Sequence, residues 1–160
     1  MNAARTLTVD EAGLVALAAT LAPALREGGA LYLGGELGAG KTTFARALLR
    51  ALGVGERVKS PTYSLIESYR VGALDIHHLD LYRIADAGEL EWLGLGDLWQ
   101  AGTLLVVEWP ERGAGALPPA DLSVRLAHAG DRRSLSATPG SARGAAWLRA
   151  WPALAAAPSS

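Results

Sequence analysis

The octet Gly35-Glu36-Leu37-Gly38-Ala39-Gly40-Lys41-Thr42 matches the pattern G-x-x-x-x-G-K-[ST], and its reading decides the fold. Its glycines let the backbone turn so that successive N–H groups face one point. A helix starting at its end aims its positive terminus at the same point. That concavity suits a triphosphate. Lys41 supplies a compact mobile cation for the β- and γ-phosphates, and Thr42 offers a hydroxyl to Mg²⁺.

The flanks support this reading over that of a glycine-rich turn with no ligand. Residues 30–33 (Ala-Leu-Tyr-Leu) read as a short buried strand. A helix starts at Lys41 or Thr42, with Phe44, Ala47, Leu48, Ala51 and Leu52 at i, i+3, i+4, i+7 and i+8. Gly53 suits its end. Thr43 belongs with the loop as a phosphate-side residue.

Upstream, residues 6–9 alternate as a short edge strand. Asp10 caps a helix running to about residue 27, with Leu14, Leu17, Ala18, Leu21 and Leu25 inward and a kink or early end at Pro23. Downstream, residues 58–62 read as a loop, and residues 63–69 and 73–82 as strands around a turn at 70–72. Asp86 and Glu89 form a capping box opening a helix with Leu90 and Leu93 inward. Residues 103–108 (Thr-Leu-Leu-Val-Val-Glu) are the clearest buried strand, and 113–119 form a loop. Residues 121–127 and 132–138 read as a closing β-hairpin around Gly130-Asp131. A last helix spans 142–151, and the tail from about residue 152 is expected to fray.

The bulk numbers bound the class. One domain is expected for 160 residues, and 50% apolar content is enough for a sizeable core. There is no cysteine, which excludes disulfide frameworks, thiolate zinc sites and thiol catalysis. Residues 1–10 show no signal-peptide pattern and no apolar run reaches membrane-spanning length, so a cytoplasmic location is expected. Fifteen basic residues against sixteen acidic ones leave a net charge of −1, without the basic excess of a protein that grips nucleic acid alone.

A phosphate loop of this kind needs a second magnesium contact, usually an acidic residue ending a neighbouring buried strand. Glu108 ends residues 103–108 and is the candidate, directly or through a water; the alternative is a carboxylate merely capping a strand. Asp80, in His77-His78-Leu79-Asp80-Leu81-Tyr82-Arg83, has three open roles: base, water-orienting group or outer metal contact. A salt bridge with Arg83 is the structural alternative. His77 and His78 point to opposite faces of a strand and read as structural. Thr62 either approaches the γ-phosphate or sits in a plain proline turn. Trp109 either walls the nucleotide site or packs in the core. Arg83 is either a charge-stabilising finger or a surface ion-pair partner.

Among nucleoside triphosphatases, Ras-like guanine reading needs Asn-Lys-x-Asp, yet the only asparagine is Asn2. No Asp-x-x-Gly follows the loop, and the Ser-Gly-Gly signature of ABC ATPases is absent. A small-molecule kinase would fit the length, but no arginine-rich lid follows the loop helix. A switch in which nucleotide only shapes a docking surface remains open.

The octet with Thr43-Phe44, then Val58-Lys59-Ser60-Pro61-Thr62-Tyr63, His78-Leu79-Asp80-Leu81-Tyr82-Arg83, Glu89-Leu90-Glu91 and Val107-Glu108-Trp109-Pro110, occur in an order and spacing that resembles the TsaE (YjeE) family. That family is the ATPase subunit of the bacterial tRNA threonylcarbamoyladenosine machinery. The resemblance runs from about residue 31 to residue 118. It implies an α/β P-loop fold with a central, mainly parallel sheet between helices, ATP and Mg²⁺ as cofactors, and slow hydrolysis. It also implies work with the TsaD and TsaB proteins, which place threonylcarbamoyl on adenosine 37 of tRNAs reading ANN codons; tRNA is met only through that complex. By motif match, Lys41 and Thr42 take the phosphate and magnesium roles, Glu108 the metal contact and Asp80 the switch carboxylate, with Trp109 beside them. The family's N-terminal segment near the nucleotide corresponds to residues 8–11, ending in Glu11. Arg132 and Arg133 both qualify for its basic hairpin residue, and Arg133 is taken as the candidate.

Overall fold

The computed structural model describes residues 5–61 and 63–151. Strand β2 (Gly29–Gly35) is an apolar run buried along nearly its whole length. A strand of that kind needs partners on both edges and cover on both faces. It pairs in parallel with β5 (Thr103–Glu108) on one edge and β6 (Leu122–Ala129) on the other. Beyond β5 lies β4 (Leu74–Asp80), also parallel, and then β3 (Ile66–Val71), antiparallel. Beyond β6 lie β7 (Arg132–Pro139) and β1 (Arg5–Val9), each antiparallel to its neighbour. The seven-stranded order is β1-β7-β6-β2-β5-β4-β3, a parallel centre with antiparallel margins.

Alternating residues of β2 and β5 divide the core in two. Leu31, Leu33, Leu104 and Val106 pack under α1 (Glu11–Leu21), α2 (Lys41–Leu52) and α5 (Ala142–Leu148). Ala30, Leu105 and Val107 face a smaller cluster with Leu79, Leu81, Leu90 and Leu95, built around α3 (Gly88–Trp92) and α4 (Leu95–Leu98). Local signals set the ends of these helices. The Asp10 side chain accepts from Gly13 N–H at 2.8 Å and starts α1. Pro23 ends α1 at Leu21, and the chain continues as a 3-10 turn, Ala22–Glu27. Ser141 caps α5. The β6–β7 hairpin closes on the two residues Gly130-Asp131, with Gly130 at φ 66°.

Three expectations shift. The strand read from Tyr63 begins at Ile66, because Leu65 takes a left-handed turn (φ 68°) closed by its N–H on Pro61 O. Asp86 N–H donates to Glu89 Oε2 and Gly88 N–H to Asp86 Oδ1, but the N-cap of α3 is Ala87, with no side-chain cap, and Gly94 at φ 77° ends α3 after little more than one turn. Leu93 is therefore 38% exposed rather than inward, and Leu95 fills the core instead. Helix α5 stops at Leu148, short of residue 151, yet Trp151 is buried, its indole N–H on Leu17 O and its ring edge-on to Phe44. The expected frayed tail lies outside the described residues. Among the described residues, no helix is long and apolar enough to cross a membrane.

Helix α5 docks so closely that a Cβ on Gly144 would lie 1.5 Å from Asp121 O, whereas one on Gly96 would meet nothing within 4 Å. Gly144→Ala is expected to destabilise by about 1–3 kcal/mol or more in urea unfolding. Gly96→Ala should be neutral or stabilising by up to about 1 kcal/mol. Equal effects at the two positions would refute this account of α5 docking.

Candidate functional site

Parallel pairing brings the carboxyl ends of β2, β4 and β5 to one edge of the sheet. Leu33 is in register with Glu108, and Glu108 with Asp80. The loop after β2 reaches over that edge. Gly35 has φ 122°, and a Cβ there would lie 1.9 Å from Leu126 O on β6, so no other residue fits without moving the strand. Gly40, at φ 108°, turns the chain into α2.

Lys41 is 4% exposed. Its ammonium donates to Gly35 O at 2.9 Å and Glu36 O at 2.6 Å, and lies 4.2 Å from the centre of the Trp109 ring. Burial pulls its pKa down, while Glu108, Glu111 and Asp80 oppose that shift. The first turn of α2 places the Thr42 hydroxyl 2.7 Å from Glu108 Oε1, to which it donates. Glu108 is buried, and its Oε2 lies 2.7 Å from Nε2 of the fully buried His78.

Asp80 is 7% exposed, and its Oδ1 accepts from Tyr82 N–H at 3.1 Å. Burial raises its pKa, and Glu108 adds to the rise. The Tyr82 N–H, His78 and Lys41 act against it.

Lys41, Thr42, Asp80 and Glu108 line one cavity of about 370 Å³, together with Gly38, Thr43, Tyr82, Arg83 and Trp109. A larger cavity of about 500 Å³ lies between Tyr32, Arg125 and the segment 110–118. It contains neither Lys41, Asp80 nor Glu108.

Trp109 holds a left-handed backbone (φ 58°, ψ 51°), a conformation costing roughly 1–2 kcal/mol for a residue with a Cβ. The bend sets its ring over Lys41 and 4.9 Å from Tyr82. Trp109 both lines the cleft and packs against the smaller apolar cluster. Arg83 forms no ion pair among the described residues; its guanidinium stacks 4.7 Å over Tyr63, so neither a surface ion pair nor a salt bridge with Asp80 forms. His77 bonds Ser68 on the other face of β4. Arg133 Nε would lie 3.9 Å from a Cβ on Gly40, which sets it beside the loop, and its pairing with Val9 brings the Asp10-Glu11 segment towards the same edge. Arg132 is exposed at the hairpin turn. The expected role of Thr62 lies outside the described residues.

Two contacts were not anticipated from the residues. His128 donates through its Nε2–H to Leu37 O (3.1 Å), while its backbone N–H donates to Glu36 Oε1 (2.8 Å), so the hairpin clamps the loop. His78 touches Glu108. The signal for the second was its place two residues before Asp80, on the same strand face.

Among the described residues no group of three His, Asp or Glu side chains is arranged to hold a metal by itself. A hydroxyl and a single carboxylate at a phosphate loop are instead the donor set of a hard cation completed by water and phosphate oxygens, which suits Mg²⁺.

The sequence model of the TsaE family, described as "Threonylcarbamoyl adenosine biosynthesis protein TsaE", matches residues 8–135. The chain is similar to the Haemophilus influenzae protein named tRNA threonylcarbamoyladenosine biosynthesis protein TsaE. That match is 45% identical over 105 residues and covers 66% of each chain. The Bacillus subtilis protein of the same name is 37% identical over 124 residues, covering 78% of this chain and 77% of that one. The crystal structure of Bacillus subtilis YdiB superposes with a TM-score of 0.72 at 28% identity, covering 93% of this chain and 94% of the other.

The raised pKa of Asp80 has a consequence for stability. A carboxyl whose pKa is raised by folding adds stability while protonated, and that contribution is lost as pH rises through the folded value. Asp80→Asn should therefore raise the Tm of the nucleotide-free protein by about 2–5 °C near neutral pH. The gain should shrink as pH falls towards the ordinary carboxylate range. Thermal unfolding across pH checks this; a variant less stable than the parent at neutral pH would contradict it.

Proposed function

This chain belongs to the TsaE family of threonylcarbamoyl adenosine biosynthesis proteins, and from that membership we propose that it binds ATP with Mg²⁺ at its phosphate loop and hydrolyses it. The turnover serves N6-threonylcarbamoylation of adenosine 37 in tRNAs reading ANN codons, with TsaD- and TsaB-type proteins as partners. The observation that carries the reading is the contact of Thr42 with Glu108 at 2.7 Å, with Asp80 in register on the next strand.

The loop from Gly35 to Thr42 orients the phosphates with its N–H groups, and Lys41 draws charge towards the β- and γ-phosphates. Thr42 and Glu108 would hold Mg²⁺, which neutralises charge gathering on the phosphate oxygens. Asp80 handles the attacking water. A carboxylate with a raised pKa accepts a proton more readily than an exposed one. Trp109 and Tyr82, with ring centres 4.9 Å apart, form one wall of the cleft. Thr43, Thr62, Glu11 and Arg133 are proposed as further nucleotide contacts.

A net charge of −1 supports contact with tRNA through the partners, which hold the RNA. The proposed unit is one ATPase domain spanning residues 1–160, working in the cytoplasm. Slow hydrolysis alone and faster hydrolysis with the partner pair are expected.

Lys41→Ala should weaken ATP binding about 10- to 100-fold, the loss of one charged contact to phosphate. Asp80→Ala should leave ATP affinity nearly intact and lower the hydrolysis rate at least about 100-fold. Equilibrium binding and phosphate-release assays, with and without the partner pair and tRNA, measure both. If modification proceeds at full rate with Asp80→Ala, nucleotide acts only as a docking switch. If the partner pair changes neither rate nor affinity, the coupling is wrong.

A further inference from the structure

His78 lies on β4 two residues before Asp80, so both project to the face of the sheet that carries α2. It is fully buried, and it reaches across to β5, where its Nε2 meets Glu108 Oε2 at 2.7 Å. The other oxygen of that carboxylate takes the Thr42 hydroxyl at 2.7 Å. Thr42, Glu108 and His78 thus form one chain of hydrogen bonds from α2 through β5 to β4.

The donor roles follow from the acceptor. An ionised carboxylate only accepts, so Nε2 carries the proton. Nδ1 is buried and has no partner among the described residues. The Nε2–H is therefore the donor to Glu108 Oε2, an assignment made from the hydrogen-bond pattern.

On the reading that Glu108 holds magnesium, we propose that His78 is the positioning residue for the metal carboxylate. It fixes Oε2 so that Oε1 stays turned towards Thr42 and the cation. A glutamate side chain has three rotatable bonds, and restraining it in advance removes an entropy loss from metal binding. His78 touches neither nucleotide nor metal, and acts through Glu108.

The test uses Mn²⁺ as the metal probe, titrated by electron paramagnetic resonance into the full chain with a non-hydrolysable ATP analogue. His78→Leu is expected to weaken Mn²⁺ binding about 10- to 100-fold, with analogue affinity in the absence of metal changed by less than about threefold. His78→Gln, whose amide nitrogen falls near the position of Nε2, should recover most of the loss. An unchanged Mn²⁺ affinity in His78→Leu overturns the proposal and leaves the proposed ATPase standing. Parent protein that binds no Mn²⁺ with the analogue overturns both. If the Leu variant does not fold, nitrogen-15 NMR of the nucleotide-free parent decides: hydrogen on Nε2 of His78 supports the role, and an Nε2 without hydrogen overturns it.

Discussion

The parallel pairing of β2 with β5 and β6 is the constraint on which the rest of the structure depends. It puts Gly35, Glu108 and Leu126 at one edge of the sheet, and the β4–β5 pairing adds Asp80. The contact between Gly35 and the Leu126 carbonyl leaves no room for a side chain. The loop is thus seated against β6 on one side while Thr42 bonds a carboxylate from β5 on the other. Loosening either pairing would separate the loop from Asp80 and Glu108.

That edge concentrates charge in a place with little solvent. Lys41, Asp80 and Glu108 are all nearly inaccessible, and burial acts against the charged form of both Lys41 and Asp80. The opposite charges partly offset each other. A left-handed Trp109 adds backbone strain at the same spot. The scaffold bears these local costs through the large apolar clusters on its two faces, where Leu48, Leu49, Leu104 and Leu105 are fully buried. On the proposed function, rigid, partly desolvated groups need little rearrangement when charge develops on a bound phosphate.

Much of the fold was legible in the residues because its elements carry strong local signals. The glycine pattern and the amphipathic run after Lys41 announced the β2–loop–α2 unit. Pro23 marked the end of α1, and Gly130-Asp131 the hairpin turn. Local reasoning failed where a backbone conformation interrupts a pattern. Leu65 adopts a left-handed turn that its side chain does not favour, and Gly94 breaks α3 early enough to turn Leu93 outward. Both departures belong to the segment between α2 and β5, where elements are short and tertiary contacts outweigh propensity.

The sequence by itself determined that this chain carries a phosphate loop, and it nominated Lys41, Thr42, Asp80 and Glu108 as the groups around it. Spacing along a strand also told that His77 and His78 face opposite ways. Only the tertiary structure decided which of these residues meet. Thr42 and Glu108 touch across 66 positions of chain, and His78 and Glu108 across 30. Arg133 rather than Arg132 lies beside Gly40, and His128 clamps the loop through Leu37 and Glu36. The reason is that such contacts depend on strand order and register, which arise from the packing of the whole sheet. A local pattern can specify what a residue is able to do, but the pairing of distant strands specifies what it does it to.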